Sequence, residues 1–341
     1  MKFTKFLPIL LVAAVPFVAV SCDDDDDDTT KESFSGSISI TMPTYVLKGE
    51  SKTFKLDTLT TLSREDEAAI GYYFKDPATG TYDTLVFDGG IANPAYPGGV
   101  FTITAPDSLD SFTTVLTGYS DGYYANSASA TFYTVDPNLD GTGSITGFTD
   151  LAGQGNFTDP RDSRFYQTVS AAGLEWMRRN LMWTGAGLPY AKCTAMTGLF
   201  GQYYTWEEAS TACPEGWRLP TDAEWKALAS ISGTPSENSE DIPGAAASLM
   251  GDLSFNGEKM WEYWPAVKIT DATGITALPL GYAISTTTTS SFTGLGDYAV
   301  FWTADKEDDA AVYRYIYQDN NTFFRGVGDT FSFRASVRCV R

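Results

Sequence analysis

The sequence contains no histidine among its 341 residues. Histidine is the commonest general base and the usual metal ligand, so its absence excludes Ser-His-Asp and Cys-His catalytic arrangements. Basic residues are also scarce, because 23 Lys and Arg stand against 43 Asp and Glu and give a formal net charge of -20. A phosphate backbone would be repelled by such a chain, so nucleic acid is not expected as a partner.

The first 21 residues have the pattern of an export signal. Two lysines precede an apolar run over residues 6–20, and the small residue Ser21 stands directly before Cys22. The run is short for a membrane span and contains two prolines. The segment resembles a bacterial lipoprotein signal, which implies a signal peptide over residues 1–21 and lipid attachment at Cys22. A plain secretory signal with an incidental cysteine is the alternative.

Six aspartates follow the cysteine, over residues 23–28. Like charges keep such a run extended, so residues 22–33 are predicted to form an acidic tether. Acidic residues directly after the lipidated cysteine also resemble the surface-export signal of Bacteroidetes lipoproteins. The resemblance implies a protein on the outer membrane that faces the extracellular side and has membrane lipid as a partner through Cys22.

Residues 34–139 show short alternating runs such as "AIGYYFKD", "FTTVLTGYS" and "SATFYTVD", separated by Gly, Pro, Asp and Asn. β-Branched and aromatic residues at every second position predict an antiparallel β-sandwich of immunoglobulin type. The following stretch, residues 140–154, is rich in turn formers and poor in large apolar residues. We predict a linker there, before a second domain over residues 155–341.

The stretch "TWEEASTACPEGWRLPTDAEWKAL" predicts two short helices. Thr205 with Glu208, and Thr221 with Glu224, have the spacing of capping boxes. The periodic positions predict that the first helix turns Trp206 and Cys213 to the core, with Ala209 and Ser210 on the same face. In the second helix the predicted buried face consists of Trp225, Leu228 and Ile231, and Gly233 closes the helix. The two glutamates are therefore interpreted as capping residues rather than catalytic acids.

The final segment "TFSFRASVRCVR" predicts a half-buried strand. The inward residues are predicted to be Phe331, Phe333, Ala335, Val337 and Cys339, against Arg334, Ser336 and Arg338 on the other face. An exported protein lies outside the reducing cytosol, so Cys213 and Cys339 are the expected disulfide partners, with Cys193 left free.

Several blocks, in order, closely resemble the Fibrobacter succinogenes major paralogous domain: "DPRDSRFYQTVSAAGLEWMRRNL", "GQYYTWEEASTACPEGWRLPTDAEWKAL", "LPLGY", "FWTADKEDDAAVYRYIYQDNN" and "SVRCVR". The resemblance runs from about residue 155 to the end. It implies an α+β fold like that of C-type lectins, in which Trp206, Ala209 and Cys213 match a helix whose cysteine pairs with the final strand. "RLPTDAEW" also resembles relatives of the formylglycine-generating enzymes.

The chain departs from these relatives at the positions that carry chemistry. Formylglycine-generating enzymes use active-site cysteines, and here only Cys193 remains, with no histidine to activate it, so it is interpreted as a buried or merely unpaired thiol. The calcium and sugar motifs of true C-type lectins are not reproduced. Asp319, Asn320 and Asn321 offer oxygens of the kind that Ca²⁺ prefers, and a polar turn explains them equally. No other cofactor is expected.

These features predict a non-catalytic binding module for a glycan or another extracellular ligand, such as a protein. Aromatic side chains bind sugar rings through apolar contact. The candidates in loop-rich parts of the second domain are Trp183, Tyr190, Trp261, Trp264, Tyr282 and Trp302. Each of them is also explained as a core residue.

Two other classes remain open. A structural or adhesive subunit of a surface complex or appendage would fit the β-rich chain and its tether equally well. A glycoside hydrolase that uses paired carboxylates needs no histidine, but no pair of acids stands out here from capping and surface roles.

Overall fold

The structure is a computed structural model that describes residues 31–86, 93–261 and 267–341. The predicted signal peptide, most of the predicted tether, and the candidate residues Cys22 and Trp264 lie outside the described residues. Within those residues, no helix is both long and apolar enough to cross a membrane.

The N-terminal part consists of strands alone, apart from short 3₁₀ turns at Leu56–Thr58 and Pro97–Gly99. One sheet has the order β1-β7-β6-β3-β4, and β2 pairs with β5 in a second sheet. The strands are β1 (Tyr45–Leu47), β2 (Ser51–Lys55), β3 (Gly71–Lys75), β4 (Tyr82–Val86), β5 (Val100–Thr104), β6 (Ser111–Tyr119) and β7 (Asn126–Val135). Except for β1, which pairs with β7 in parallel, each of them falls in a predicted alternating run.

The two N-terminal sheets pack face to face over one core. Phe54 on β2 and Phe101 on β5 have ring centroids 5.5 Å apart, and Phe101 lies 4.7 Å from Phe74 on β3. Leu85 and Leu116 complete this core, where both are fully buried. Because alternate residues of each strand point to the same side, the sequence alternation is enough to build this layer.

The C-terminal part is mostly β, with a few short helices among the strands. The strands are β8 (Ile145–Thr146), β9 (Gly155–Thr158), β10 (Phe165–Ala171), β11 (Leu174–Met177), β12 (Leu188–Pro189), β13 (Gln202–Tyr203), β14 (Ile242–Pro243), β15 (Ser254–Phe255), β16 (Glu258–Lys259), β17 (Leu280–Ser285), β18 (Ser290–Leu295), β19 (Tyr298–Glu307), β20 (Ala310–Tyr317), β21 (Thr322–Gly328) and β22 (Phe333–Arg334). The helices are α1 (Thr197–Phe200), α2 (Trp206–Ala212), α3 (Asp222–Ala229) and α4 (Ala246–Leu249), with 3₁₀ turns at Tyr190–Lys192 and Thr194–Met196.

The largest sheet has the order β14-β21-β20-β19-β17-β18, with β22 paired to β17. Helix α3 packs on one face of this sheet through Trp225, whose ring is fully buried and lies 5.2 Å from that of Phe301 on β19. A disulfide joins Cys213, at the end of α2, to Cys339. The predicted pairing is therefore confirmed, and Cys193 is free and buried.

Both predicted capping boxes are present. Thr205 Oγ1 accepts from the Glu208 amide at 3.2 Å, and Glu208 Oε2 accepts from the Thr205 amide at 2.9 Å. The pair Thr221 and Glu224 repeats this exchange at 3.2 and 2.8 Å. Helix α3 ends at Ala229, four residues earlier than Gly233, so the prediction that Ile231 is buried is wrong and its side chain is 55% exposed.

The first helix differs slightly from its predicted packing. Ala209 and Ala212 are buried, but Ser210 is exposed and donates to the Glu207 carbonyl. Trp206 is half-buried, because its ring packs on the core on one side while Lys306 lies 4.2 Å from the ring centroid.

The final segment is covered on both sides, which the alternation did not predict. Val337 and Cys339 are buried as expected, but Arg338 is also buried, with 1% of its surface exposed. Phe331, predicted to point inward, is 71% exposed because it lies in a turn before β22. Only Phe333–Arg334 forms a regular strand, and the rest makes isolated bridges to several neighbours.

Residues 140–154 do not form a free linker. Strand β8 lies within them and pairs with β15. Ile145 is 2% exposed and belongs to a cluster that also contains Tyr45 and Val135 from the N-terminal part and Phe200 from the C-terminal part. The two parts thus share a hydrophobic core. The low apolar content of residues 140–154 gave no sign of this contact in the sequence.

Candidate functional site

Strand β20 places three tyrosines on one face of the largest sheet. Tyr313, Tyr315 and Tyr317 alternate with Arg314 and Ile316, which are buried on the opposite face. The tyrosines are half-buried, whereas Val300 and Trp302, which oppose Tyr315 and Tyr313 on β19, are buried in a cluster with residues of α2. This exposure follows from the period of two in a strand.

Neighbouring strands extend this row of rings. Tyr298 on β19 is paired with Tyr317, and Phe324 on β21 is paired with Tyr315. Directly opposed residues on paired strands share a face. We define the aromatic face as the half-buried rings of Tyr282, Tyr298, Tyr313, Tyr315, Tyr317, Phe324 and Phe333.

The rings of the aromatic face contact one another in a continuous network. Tyr315 stacks on Phe324 with centroids 5.0 Å apart, and Tyr298 stacks on Tyr317 at 4.9 Å. Phe333 stacks on Tyr313 at 4.9 Å and on Tyr282 at 5.2 Å. Contacts of this kind fix the ring orientations, so the surface is preorganised.

Two glycines allow rings to lie close to the sheet backbone. A Cβ atom at Gly326 would lie 2.5 Å from the Tyr313 ring, and one at Gly294 would lie 2.7 Å from the Tyr298 ring. Gly294 also has a φ of +76°, which other residues rarely adopt. The Tyr313 ring therefore lies against Gly326 and also stacks on Phe333, and the Tyr298 ring lies against Gly294 and also stacks on Tyr317.

Burial lowers the acidity of several hydroxyls on this face. The pKa of Tyr313 and that of Tyr315 are raised above the usual value, first by desolvation. Nearby carboxylates, chiefly Asp319, raise the pKa of Tyr317. The hydroxyls therefore stay protonated at neutral pH and can donate or accept hydrogen bonds.

Only Tyr282 among the predicted ligand-binding residues belongs to the aromatic face. Trp302 opposes Tyr313 on β19 and lies on the same side of the sheet, but it is fully buried, and its indole N–H donates to the Tyr204 carbonyl at 2.8 Å. Trp261 is 1% exposed and donates to the Ala277 carbonyl at 3.0 Å. The prediction that Trp302 and Trp261 present a face to a ligand is therefore wrong, because both rings serve the core.

Tyr190 and Trp183 are half-buried at other places. The Tyr190 ring contacts those of Phe200 and Phe292, at 5.6 and 5.3 Å, and burial raises its pKa to about 12. The Trp183 ring is covered on one side by the Arg161 guanidinium, 4.3 Å from its centroid. The structure does not bring either residue together with Tyr282.

Asp319, Asn320 and Asn321 form a turn between β20 and β21. Asn321 Oδ1 accepts from the Ala247 amide at 2.8 Å, and the Asn320 amide donates to the Tyr317 carbonyl. Among the described residues, no group of three or more His, Cys, Asp or Glu could hold a metal ion. The Asn321 side-chain oxygen is therefore already used by a backbone hydrogen bond, and the calcium hypothesis for this turn stays a prediction.

Glu208 and Glu224 have structural partners besides their caps. Arg334 Nη1 lies 2.6 Å from Glu208 Oε2, and Arg218 Nη1 lies 2.7 Å from Glu224 Oε2. The pKa of Glu224 is lowered, first by its hydrogen bond with Arg218. A carboxylate held ionised in this way is a poor general acid at neutral pH.

Sequence reasoning missed most of the aromatic face. The signal was present in "VYRYIYQ", where tyrosine occupies every second position of a strand. The partner rings come from strands that are distant in sequence, and nothing local shows that β19, β20 and β21 are neighbours. Selecting aromatic residues from loops favoured tryptophans, and two of these, Trp261 and Trp302, belong to the core.

The chain is thus a β-rich protein whose C-terminal part combines short capped helices, a helix-to-last-strand disulfide and an open aromatic sheet face. The family model of the Fibrobacter succinogenes major domain matches residues 169–341, about half of the chain. The chain belongs to this family, as the sequence blocks predicted. Comparisons with curated proteins and with solved structures found no match.

Proposed function

We propose that the protein is a non-catalytic binding module that recognises glycan through the aromatic face. The observation that carries this proposal is the network of half-buried rings on one side of the largest sheet. Sugar rings have apolar C–H faces that pack on aromatic rings, and their hydroxyls need hydrogen-bond partners at the edges. Tyrosine supplies both in one rigid side chain.

The shape of the face favours an extended ligand. Its rings are spread over β17, β19, β20, β21 and β22, and adjacent strands in a sheet lie about 4.8 Å apart. A single sugar would cover only a fraction of such a surface. An oligosaccharide of several units is the ligand that fits best, and carboxylates at the rim, such as Asp319, can accept bonds from its hydroxyls.

We further propose a specific fold for each of the two parts and a cellular location for the protein. Two face-to-face sheets with a parallel first-to-last strand pairing support an immunoglobulin-like sandwich over residues 34–139. The bond from α2 to the last segment supports a C-type-lectin-like fold over residues 155–341. The lipoprotein pattern at Cys22 supports anchoring on the extracellular side of the outer membrane. A structural or adhesive subunit is the alternative function.

A glycan array probed with the full chain, with and without chelator, tests the proposal. Tyr315→Ala removes a half-buried ring that stacks on Phe324 and should weaken binding about tenfold or more, or about 1.4 kcal/mol. Tyr124→Ala is the matched control, since Tyr124 is 60% exposed in the N-terminal part. Binding that survives Tyr315→Ala and Tyr298→Ala would exclude the aromatic face, and an array without any bound glycan would favour the structural alternative.

A further inference from the structure

Three arginines surround a small cavity behind the largest sheet. Arg178, Arg179 and Arg338 line it together with Asn180 and apolar side chains. Arg178 and Arg338 are each 1% exposed, and Arg179 is half-buried, so the cavity can be reached from its side. The apolar wall includes Ile145, Phe148 and Leu139, at the contact between the two parts of the chain.

These three arginines are the exception among the arginines of the chain. Within the described residues, all the others form a salt bridge with a carboxylate: Arg64, Arg161, Arg164, Arg218, Arg314, Arg325, Arg334 and Arg341. The chain has a large excess of acids, so carboxylate partners are not scarce. Within the described residues, none of the three cavity arginines forms a salt bridge with a carboxylate.

Neutral oxygens accept the hydrogen bonds of the two buried guanidinium groups. Arg338 donates to Asn180 Oδ1 at 2.7 Å and to the Ile275 carbonyl at 2.7 Å. Arg178 donates to the Gly274 carbonyl and to Gln154 Oε1, both at 2.9 Å. Such bonds satisfy the N–H groups but leave the positive charges without a counter-ion.

Arg179 makes the fewest hydrogen bonds of the three arginines. Its Nη2 donates to the carbonyls of Gly198 and Leu199, whereas Nε and Nη1 have no hydrogen-bond partner among the described residues. Since Arg179 lines the cavity, these donors are available to a ligand there.

The local charge balance is strongly positive. Burial lowers the pKa of Arg338 to about 9 and that of Arg179 to about 10; Asp271 raises the pKa of Arg338, whereas Arg178 and Arg179 lower it. The carboxylate of Asp271 accepts hydrogen bonds from the Thr276 amide and hydroxyl. Arg178 donates to the same hydroxyl, so Thr276 links Asp271 to Arg178. Asp150 also acts on Arg178, but two carboxylates without a salt bridge do not neutralise three guanidinium groups.

We propose that this cavity binds a small inorganic anion of the halide class, with chloride as the physiological example. The free donors of Arg179 and the positive field of Arg178 and Arg338 would hold it. The cavity has a volume of about 10 Å³, so it holds at most one small ion. The bound ion would offset the buried charge and tie the two parts of the chain together.

The test measures thermal unfolding of the full chain at fixed ionic strength, with chloride replaced by gluconate. We expect the melting temperature to rise with chloride and to saturate, as binding to the native state requires. Bromide should act like chloride and should appear in the cavity by anomalous diffraction, whereas sulfate should act like gluconate.

Arg179→Gln should shift the chloride midpoint at least tenfold upward, while Arg218→Gln, which breaks a partly exposed salt bridge with Glu224, should leave it unchanged. If Arg179→Gln does not fold, Arg179→Lys is measured in its place. We expect the lysine variant to retain part of the rise in melting temperature with chloride. A melting temperature independent of halide, bromide found only at other places, or an unchanged midpoint in the Arg179 variants would overturn the proposal.

Discussion

Glu224 resembles a catalytic acid in the sequence, but both of its carboxylate oxygens have structural hydrogen-bond partners. Its carboxylate accepts a hydrogen bond from the Thr221 amide and forms an ion pair with Arg218. The next residue, Trp225, lies in the core. Both roles were predicted from the spacing of Thr221 and Glu224 and from the helical period. What looked like a dense reactive segment is therefore a folding element.

Trp225→Ala should lower the free energy of unfolding by about 3–5 kcal/mol, because it removes a fully buried ring that contacts Trp176, Phe301 and Phe323. Glu224→Gln should cost less than about 1 kcal/mol, since the amide oxygen still accepts the Thr221 bond and the ion pair with Arg218 is partly exposed. Urea unfolding of both variants measures this difference.

The pH dependence of the Glu224 contribution has a definite sign. The folded pKa is lowered, so the stabilisation is present above the unfolded pKa and disappears as the pH falls through the lowered value. The stability of wild type and Glu224→Gln should therefore converge in acid. Loss of glycan binding in Glu224→Gln without a change in stability would contradict the structural role.

At the scale of elements, β8 and the final segment were the least predictable. Both are short, and both owe their conformation to partners from distant parts of the chain: β15 for β8, and Trp176, Tyr204 and Phe301 for the final segment. An alternating pattern indicates which side chains share a face, but it does not reveal that both faces are covered. This is why Arg338 was assigned to the exposed side.

Ile145→Ala in β8 should lower the free energy of unfolding by about 2–5 kcal/mol, because Ile145 is 2% exposed in the shared cluster. Tryptophan fluorescence in urea is a suitable measurement, since every tryptophan of the chain lies C-terminal to β8. Ile231→Ala, at a 55% exposed position, is the matched control and should change stability by less than about 0.5 kcal/mol. A free linker at residues 140–154 would instead make the two variants equal.

At the scale of the whole molecule, the disulfide and the shared cluster hold the fold together. The bond between Cys213 and Cys339 spans 126 residues and contributes at most about 4–5 kcal/mol in the ideal-chain treatment. Cys193 contributes differently: its sulfur accepts from the Tyr45 amide at 3.4 Å, and burial raises the pKa of its thiol. That thiol is therefore a packing group between the two parts rather than a nucleophile.

Anchoring is the remaining property of the whole molecule that can be tested directly. Cys22→Ser should release the protein from the membrane or leave it as precursor, because lipid at Cys22 is its proposed attachment. Membrane fractionation measures this, and Ser21→Ala, which keeps a small residue before the cysteine, should stay membrane-bound. Full membrane retention of Cys22→Ser would exclude the lipid anchor.

The sequence by itself determined the features whose causes are local. Strand alternation, capping boxes and the order of the family blocks were enough to predict β2 to β7, α2, α3 and the family. The disulfide pairing followed from the two predicted inward faces and the expected export. These features depend on residues within one or two turns or on a short pattern, and the rest of the fold does not override them.

Only the tertiary structure decided what depends on which elements become neighbours. Tyr313 and Tyr315 belong to a large aromatic face because β19, β21 and β22 bring Tyr298, Phe324 and Phe333 beside them. Likewise, three arginines meet because a strand end and the final segment pack together. Contacts between elements that are distant in sequence arise from the burial of apolar surface over the whole chain. A short segment of sequence therefore does not reveal them.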